Sequence, residues 1–259
     1  MVFAASIRPV LLPHSLMLNA MARIVVTGKL PEKPVVVEGF PSKGFVSTIA
    51  ANYMIREMGM KLVGYMDSRE TSNVTVIRES TPLRPIRIYT KDNIIMIYSE
   101  VMVPFNTIPD IAGAINAWLE KLNPSLVILM AGIMGVEPGK GHEILGVTSK
   151  QGLSRLLEGS KVRLIKEGVL TGVSSNILLH CVEKDIPAVA LMVETEYSPD
   201  AVAAASMIEV LNRLLKVEIN SETLLKMGKD IESQFKRIIS QMKKGREGYI
   251  RMEEGPMYG

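Results

Sequence analysis

The chain has 259 residues, 47% apolar and 22% charged, with a formal net charge of +3, enough to bury a large core and unlike an intrinsically disordered chain. Its basic residues are scattered, not striped among aromatics, which argues against a nucleic-acid partner, and no apolar run of about 18 residues marks a membrane span. A single cysteine, Cys181, excludes an intrachain disulfide and a cysteine-rich metal site, and fits a reducing, cytoplasmic setting.

Residues 1–20 contain Arg8, the apolar Val10-Leu11-Leu12 and, at their end, Ala20-Met21-Ala22, the outline of an export signal that Pro13 and His14 interrupt. They read as an unstructured extension, or as translation assigned upstream of a natural start at Met21. From Arg23 to Thr27 and Val35 to Val37, β-branched runs broken by Gly28 and Pro31 predict strands. Phe45, Ile49, Tyr53, Met54 and Met58 recur at helical spacing, so Gly44 to Met58 is expected to be helical, with a strand over Lys61 to Met66. Three β-type runs follow, Val74–Ile77, Ile86–Tyr89 and Ile94–Tyr98; Asp92 and Asn93 make the last two a hairpin.

Helix and strand then alternate. Ile108 to Leu122 carries Ile111, Ile115, Trp118 and Leu119 on one helical face, and the wholly apolar Leu126 to Met130 predicts a strand buried on both sides. Helices over about Lys150 to Leu157 and Val173 to Lys184, a buried strand at Ala188 to Val193, and a helix from Asp200 to Leu214 complete the pattern. This alternation predicts an α/β fold over residues 21–219, a mixed, largely parallel sheet flanked by helices.

Residues 220–245 form a different kind of segment. Asn220 or Ser221 can cap a helix that Gly245 can end, and Leu224, Gly228, Ile231, Phe235, Ile238 and Met242 alternate at spacings of four and three. Such a seam suits either packing on a partner helix, and so oligomerisation, or covering the chain's own domain. Residues 246–259 lack periodicity and are expected to form a mobile tail, able to reach about 45 Å at ~3.3 Å per residue.

Little of the sequence carries catalytic chemistry. His14 lies in the extension; His180, beside Leu178, Leu179 and Cys181, reads as a packed structural histidine; His142 lies in the glycine-rich Gly139–Glu143 loop without metal-ligand spacing. The loop Ala131-Gly132-Ile133-Met134-Gly135 lacks the GxGxxG order, and no P-loop or nucleophile elbow occurs. No catalytic, cofactor or metal residue is therefore assigned. The most enzyme-like feature is Glu194-Thr195-Glu196 at the end of a buried strand. Carboxylates there can bind a ribose hydroxyl or act as a base, so a nucleoside-binding or phosphorylase-like enzyme using Glu194 and Glu196 is the alternative.

The last three residues are Met257-Tyr258-Gly259, a hydrophobic residue, a tyrosine and a terminal residue. A terminal carboxylate can pair with a lysine in a pocket, while tyrosine offers an apolar body with a polar tip. Glu38-Gly39-Phe40-Pro41 followed by Gly44, the strand ending in Ala131-Gly132, the turn Thr171-Gly172 and Glu194-Thr195-Glu196 together resemble the proteasome assembly chaperone 2 family across residues 20 to 242. That resemblance implies a fold similar to nucleoside phosphorylases, without enzymatic activity or cofactor. It also implies a homo-oligomer that binds the proteasome core particle. Met257, Tyr258 and Gly259 match the HbYX motif that docks in pockets between core-particle α-subunits, in assembly or in gate opening. Were the tail tucked against its own oligomer, a second small partner or homologue would have to release it.

Overall fold

Runs of β-branched residues become strands wherever turn chemistry lets them pair. The structure, a computed structural model, describes residues 22–71, 73–134 and 142–253, with backbone alone at 70, 234, 238, 242, 243 and 245–253. Its strands are β1 (Ala22–Val26), β2 (Val35–Gly39), β3 (Lys61–Ser68), β4 (Val76–Arg78), β5 (Thr81–Leu83), β6 (Ile86–Lys91) and β7 (Ile94–Ser99), followed by β8 (Leu126–Met134), β9 (Ile144–Thr148), β10 (Arg163–Leu164) and β11 (Ala188–Thr195). The helices are α1 (Val46–Glu57), α2 (Ile108–Leu122), α3 (Ser154–Gly159), α4 (Val173–Glu183), α5 (Ala201–Leu215), α6 (Ser221–Lys226) and α7 (Gly228–Glu253).

One nine-stranded sheet runs β1-β3-β6-β7-β2-β8-β11-β9-β10, with β4 and β5 forming a separate hairpin. Its centre, β7-β2-β8-β11, is parallel. On one flank β1, β3, β6 and β7 pair antiparallel, and on the other β9 is antiparallel to β11. The expected mixed sheet flanked by helices is thus present, with parallel pairings at its centre. The β6–β7 hairpin closes where Asp92 adopts φ 51°, a left-handed conformation that aspartate tolerates.

The sheet is covered on both faces, which is why its central strands are largely apolar, with Glu38 of β2 a buried exception. α1, α3, α5 and α6 pack on one face around Val37, Met54, Met96, Ile128, Leu191 and Ile208. α2 and α4 pack on the other around Val36, Ile97, Ile115, Leu129 and Ile177. Helix starts follow local chemistry: Asp200 accepts from the Ala203 amide at 2.9 Å to cap α5, and Asn220 accepts from the Glu222 amide at 2.9 Å to cap α6.

Three expectations need correction. β9 and β10 were not anticipated, because Gly146 interrupts the β pattern; a Cβ there would meet Leu157 and Val162 side-chain carbons at 2.7 Å. The expected helix over Lys150 to Leu157 is a 3-10 turn at Gln151–Leu153 followed by the short α3. The expected single helix ending at Gly245 is instead two, α6 and α7, and α7 continues to Glu253. Glycine costs a helix only about 1 kcal/mol relative to alanine, and the residues around Gly245 and Gly248 are mostly good helix formers.

The seam also resolves. Leu224 (0% exposed), Ile231 (9%) and Phe235 (7%) are buried in the core shared by α1 and α5. The Phe235 ring lies 6.0 Å from that of Phe45. These three side chains pack on their own domain; the side chains of Ile238 and Met242 lie outside the described residues.

Candidate functional site

Every parallel central strand ends on the same side, so the loops that follow them share one edge of the sheet. β2 leads into α1 on one face, whereas α2 reaches β8 across the other, so the crevice between the ends of β2 and β8 is a topological switch point. A cleft of ≈ 780 Å³ opens there, walled by residues 40–45 after β2, residues 131–134 of β8 and residues 169–174 leading into α4.

Close backbone contacts shape these walls. A Cβ on Gly132 would sit 1.9 Å from the Lys43 carbonyl oxygen, so only glycine lets β8 pass beneath the loop. Gly44 has φ 69°, and a Cβ there would approach Thr195 Cγ2 to 2.8 Å. Hydrogen bonds then fix the loop: the Gly132 amide donates to Ser42 Oγ (2.8 Å), Ser42 and Ser47 hydroxyls share a bond (2.7 Å), and Ser47 donates to the Phe40 carbonyl. The Thr195 hydroxyl donates its one proton to Asp200 Oδ2, and its oxygen also lies 3.1 Å from the Tyr197 carbonyl, tying the end of β11 to the same edge.

Beneath the cleft lies Glu38, 1% exposed. Its carboxylate accepts from the Phe40 amide (2.8 Å) and the Ser174 hydroxyl (2.7 Å). Burial pushes its pKa up to about 7, against the opposing pull of hydrogen bonding. A second buried acid, Glu100, is treated differently. It pairs with the buried Arg87 and with Arg78, while the Arg87 guanidinium lies over the Tyr98 ring, 5.4 Å from its centroid. Tyr98, buried and accepting from Asn52 Nδ2 at 2.9 Å, has its phenol pKa raised, chiefly by burial.

The lips of the cleft are apolar and uncovered. Met102 is 57% exposed, Phe105 82%, Met134 74% and Val169 86%, with Tyr197 nearby at 68%. Large side chains clustered this way on a surface mark an interaction site more often than scattered ones do. Met134 and Val169 also border a smaller neighbouring cleft of ≈ 520 Å³.

The sequence-designated residues fall in different places. Glu194 lines the smaller cleft, and Glu196 lines neither of these two. His142 Nδ1 lies 3.1 Å from the Glu194 carbonyl and 3.9 Å from Asp200 Oδ2. His180 stands 3.1 Å from Glu120, in the contact between α4 and α2. Burial pushes the Cys181 thiol up to about 11, which leaves it un-ionised and inert at neutral pH. No group of three or more potential metal ligands occurs among the described residues. His14 and the tail residues Met257, Tyr258 and Gly259 lie outside the described residues. Glu38, the apolar lips and the cleft itself were not singled out as functional from the sequence. The available signal was indirect: Glu38–Pro41, Ala131-Gly132 and Thr171-Gly172, scattered along the chain, meet around this one cleft.

Comparison with known proteins agrees with this geometry. The model of the PAC2 family matches residues 36–239. An uncharacterized protein of Methanocaldococcus jannaschii is 30% identical over 232 residues, covering 88% of this chain and 93% of that one. Pyrococcus furiosus PbaA, described as an archaeal homolog of proteasome-assembly chaperone, superposes with a TM-score of 0.80 at 33% identity, covering 87% of this chain and 99% of PbaA. Pyrococcus furiosus PbaB, described as an archaeal proteasome activator, shares the fold with a TM-score of 0.71 at 21% identity, covering 85% and 99%.

Proposed function

The chain belongs to the PAC2 family, and from that premise we propose that it is a non-enzymatic, homo-oligomeric factor that docks on the proteasome core particle through Met257, Tyr258 and Gly259. The observation that carries this reading is the kinship with PbaA along nearly the whole of both chains. The tail supplies the chemistry: a carboxylate for a lysine, an aromatic body and an apolar anchor for a pocket between α-subunits. α7 supports the delivery of that tail. Gly228 abuts Ala201 at the start of α5, Phe235 packs on Phe45, and the following 18 residues to Glu253 add about 27 Å of helix at ~1.5 Å each. Several weak tails on one oligomer bind together by effective concentration.

Self-association needs a surface other than the seam of Leu224, Ile231 and Phe235, which the core consumes. The apolar lips around Phe105 and Val169 are the candidate, with a second copy as the occupant, since desolvating them stabilises an oligomer that remains soluble. Tyr258→Ala tests the tail. Binding of the variant to immobilised core particles is expected to fall at least tenfold, roughly the loss of one good anchor per tail, and undiminished binding contradicts the proposal.

A further inference from the structure

We propose that Glu38 is a proton-operated tie on the cleft: uncharged, it holds the segments of Phe40 and Ser174 together, and its ionisation loosens them. The geometry is that of a fastener. Glu38 ends the central strand β2, and its two carboxyl oxygens reach the loop before α1 through Phe40 and the first turn of α4 through Ser174. Both partners belong to the cleft wall. A neutral carboxyl can keep all of these bonds, because Ser174 can turn its hydroxyl to accept. The anion at 1% exposure sits in a low-dielectric site with no cation paired to it among the described residues, a state relieved by admitting water.

The surroundings leave Glu38 alone in this role. In register beside it on β7 and β8 are Ile97 and Leu129. The charged residues of the helices on its face are Asp110, Glu120 and Lys121 of α2, and His180, Glu183 and the adjoining Lys184 of α4. Glu120 is engaged with His180 and Lys184, about 9 Å along α4 from Ser174 at ~1.5 Å per residue. None of these, nor Lys43 on the cleft wall, is among the influences on Glu38, which are burial and hydrogen bonding.

The sign follows from linkage. An open form, with Glu38 solvated at the ordinary value of 4.5, gains on the closed form as pH rises from that value to about 7, and no further above it. Amide hydrogen exchange on the full chain, corrected for the intrinsic pH dependence, reads this directly. Protection at residues 40–45 and 172–175 is expected to fall roughly fortyfold between pH 5 and pH 7, then level off. In Glu38→Gln, a neutral isostere that keeps the bonds, protection is expected to stay flat. A fall that persists in Glu38→Gln belongs to another group and overturns the proposal, as does a wild type without the fall. Ser174→Ala supplies a second reading by carboxyl NMR titration. Loss of the hydroxyl donor is expected to move the Glu38 midpoint upward, and an unmoved midpoint breaks the assigned link to α4. The experiment involves no proteasome, so its outcome is independent of the docking proposal.

Discussion

Gly132 and Glu38 stand on neighbouring central strands, and each is dictated by what lies within a few ångströms. At Gly132 the Lys43 carbonyl occupies the space of a Cβ. Gly132→Ala therefore has to push two backbones apart, at a cost of about 2–3 kcal/mol, read as a Tm lowered by several degrees; an unchanged Tm contradicts the contact. Glu38 acts through its proton. Its folded-state pKa of about 7 exceeds the ordinary 4.5, so the native state binds the proton more tightly than the unfolded chain does. Stability from this group is fully present below pH 4.5 and is lost as pH rises to about 7, by roughly 3 kcal/mol in all. Denaturant titrations of wild type and Glu38→Gln are expected to diverge over that window, with the variant increasingly the more stable, and parallel curves contradict the assignment. Both residues stood out in the sequence only through the family resemblance, with no role attached, because each owes its role to a neighbour about ninety or more positions away.

Elements were more legible than residues. The helical face of Ile111, Ile115 and Leu119 and the apolar Leu126–Met130 run announced α2 and β8, since burial demands those patterns. The mixed flanks of the sheet were harder, because antiparallel β9 depends on β11 for its pairing and carries Gly146 in its middle. The α6–α7 seam shows the limit of periodicity: an apolar stripe says that something covers it, not whether the cover is the chain itself or a partner. Here Phe235 settles against Phe45 within one chain. Phe235→Ala is accordingly expected to cost about 3–4 kcal/mol of stability, measured by denaturant unfolding, with no change in the mass of the folded species. A lower mass without loss of stability contradicts the packing.

At the scale of the whole molecule, the parallel centre gathers the loop after β2, the end of β8 and the turn before α4 into one apolar-lipped cleft, while α7 packs its Phe235 on Phe45 of the cleft wall. If the exposed lips hold copies together, Phe105→Asp combined with Val169→Asp is expected to lower the light-scattering mass of the assembly; an unchanged mass contradicts that surface. With Glu194 lining the smaller cleft and Glu196 neither of the two, no saturable heat is expected on titration with nucleosides, and binding lost in Glu194→Ala contradicts a purely docking protein. The central claim concerns the tail, and the most direct measurement is co-sedimentation of purified proteasome core particles with the full chain and with a chain lacking Met257, Tyr258 and Gly259. The account predicts that the full chain sediments with the particles and the truncated chain stays in the supernatant; equal sedimentation of both would contradict it.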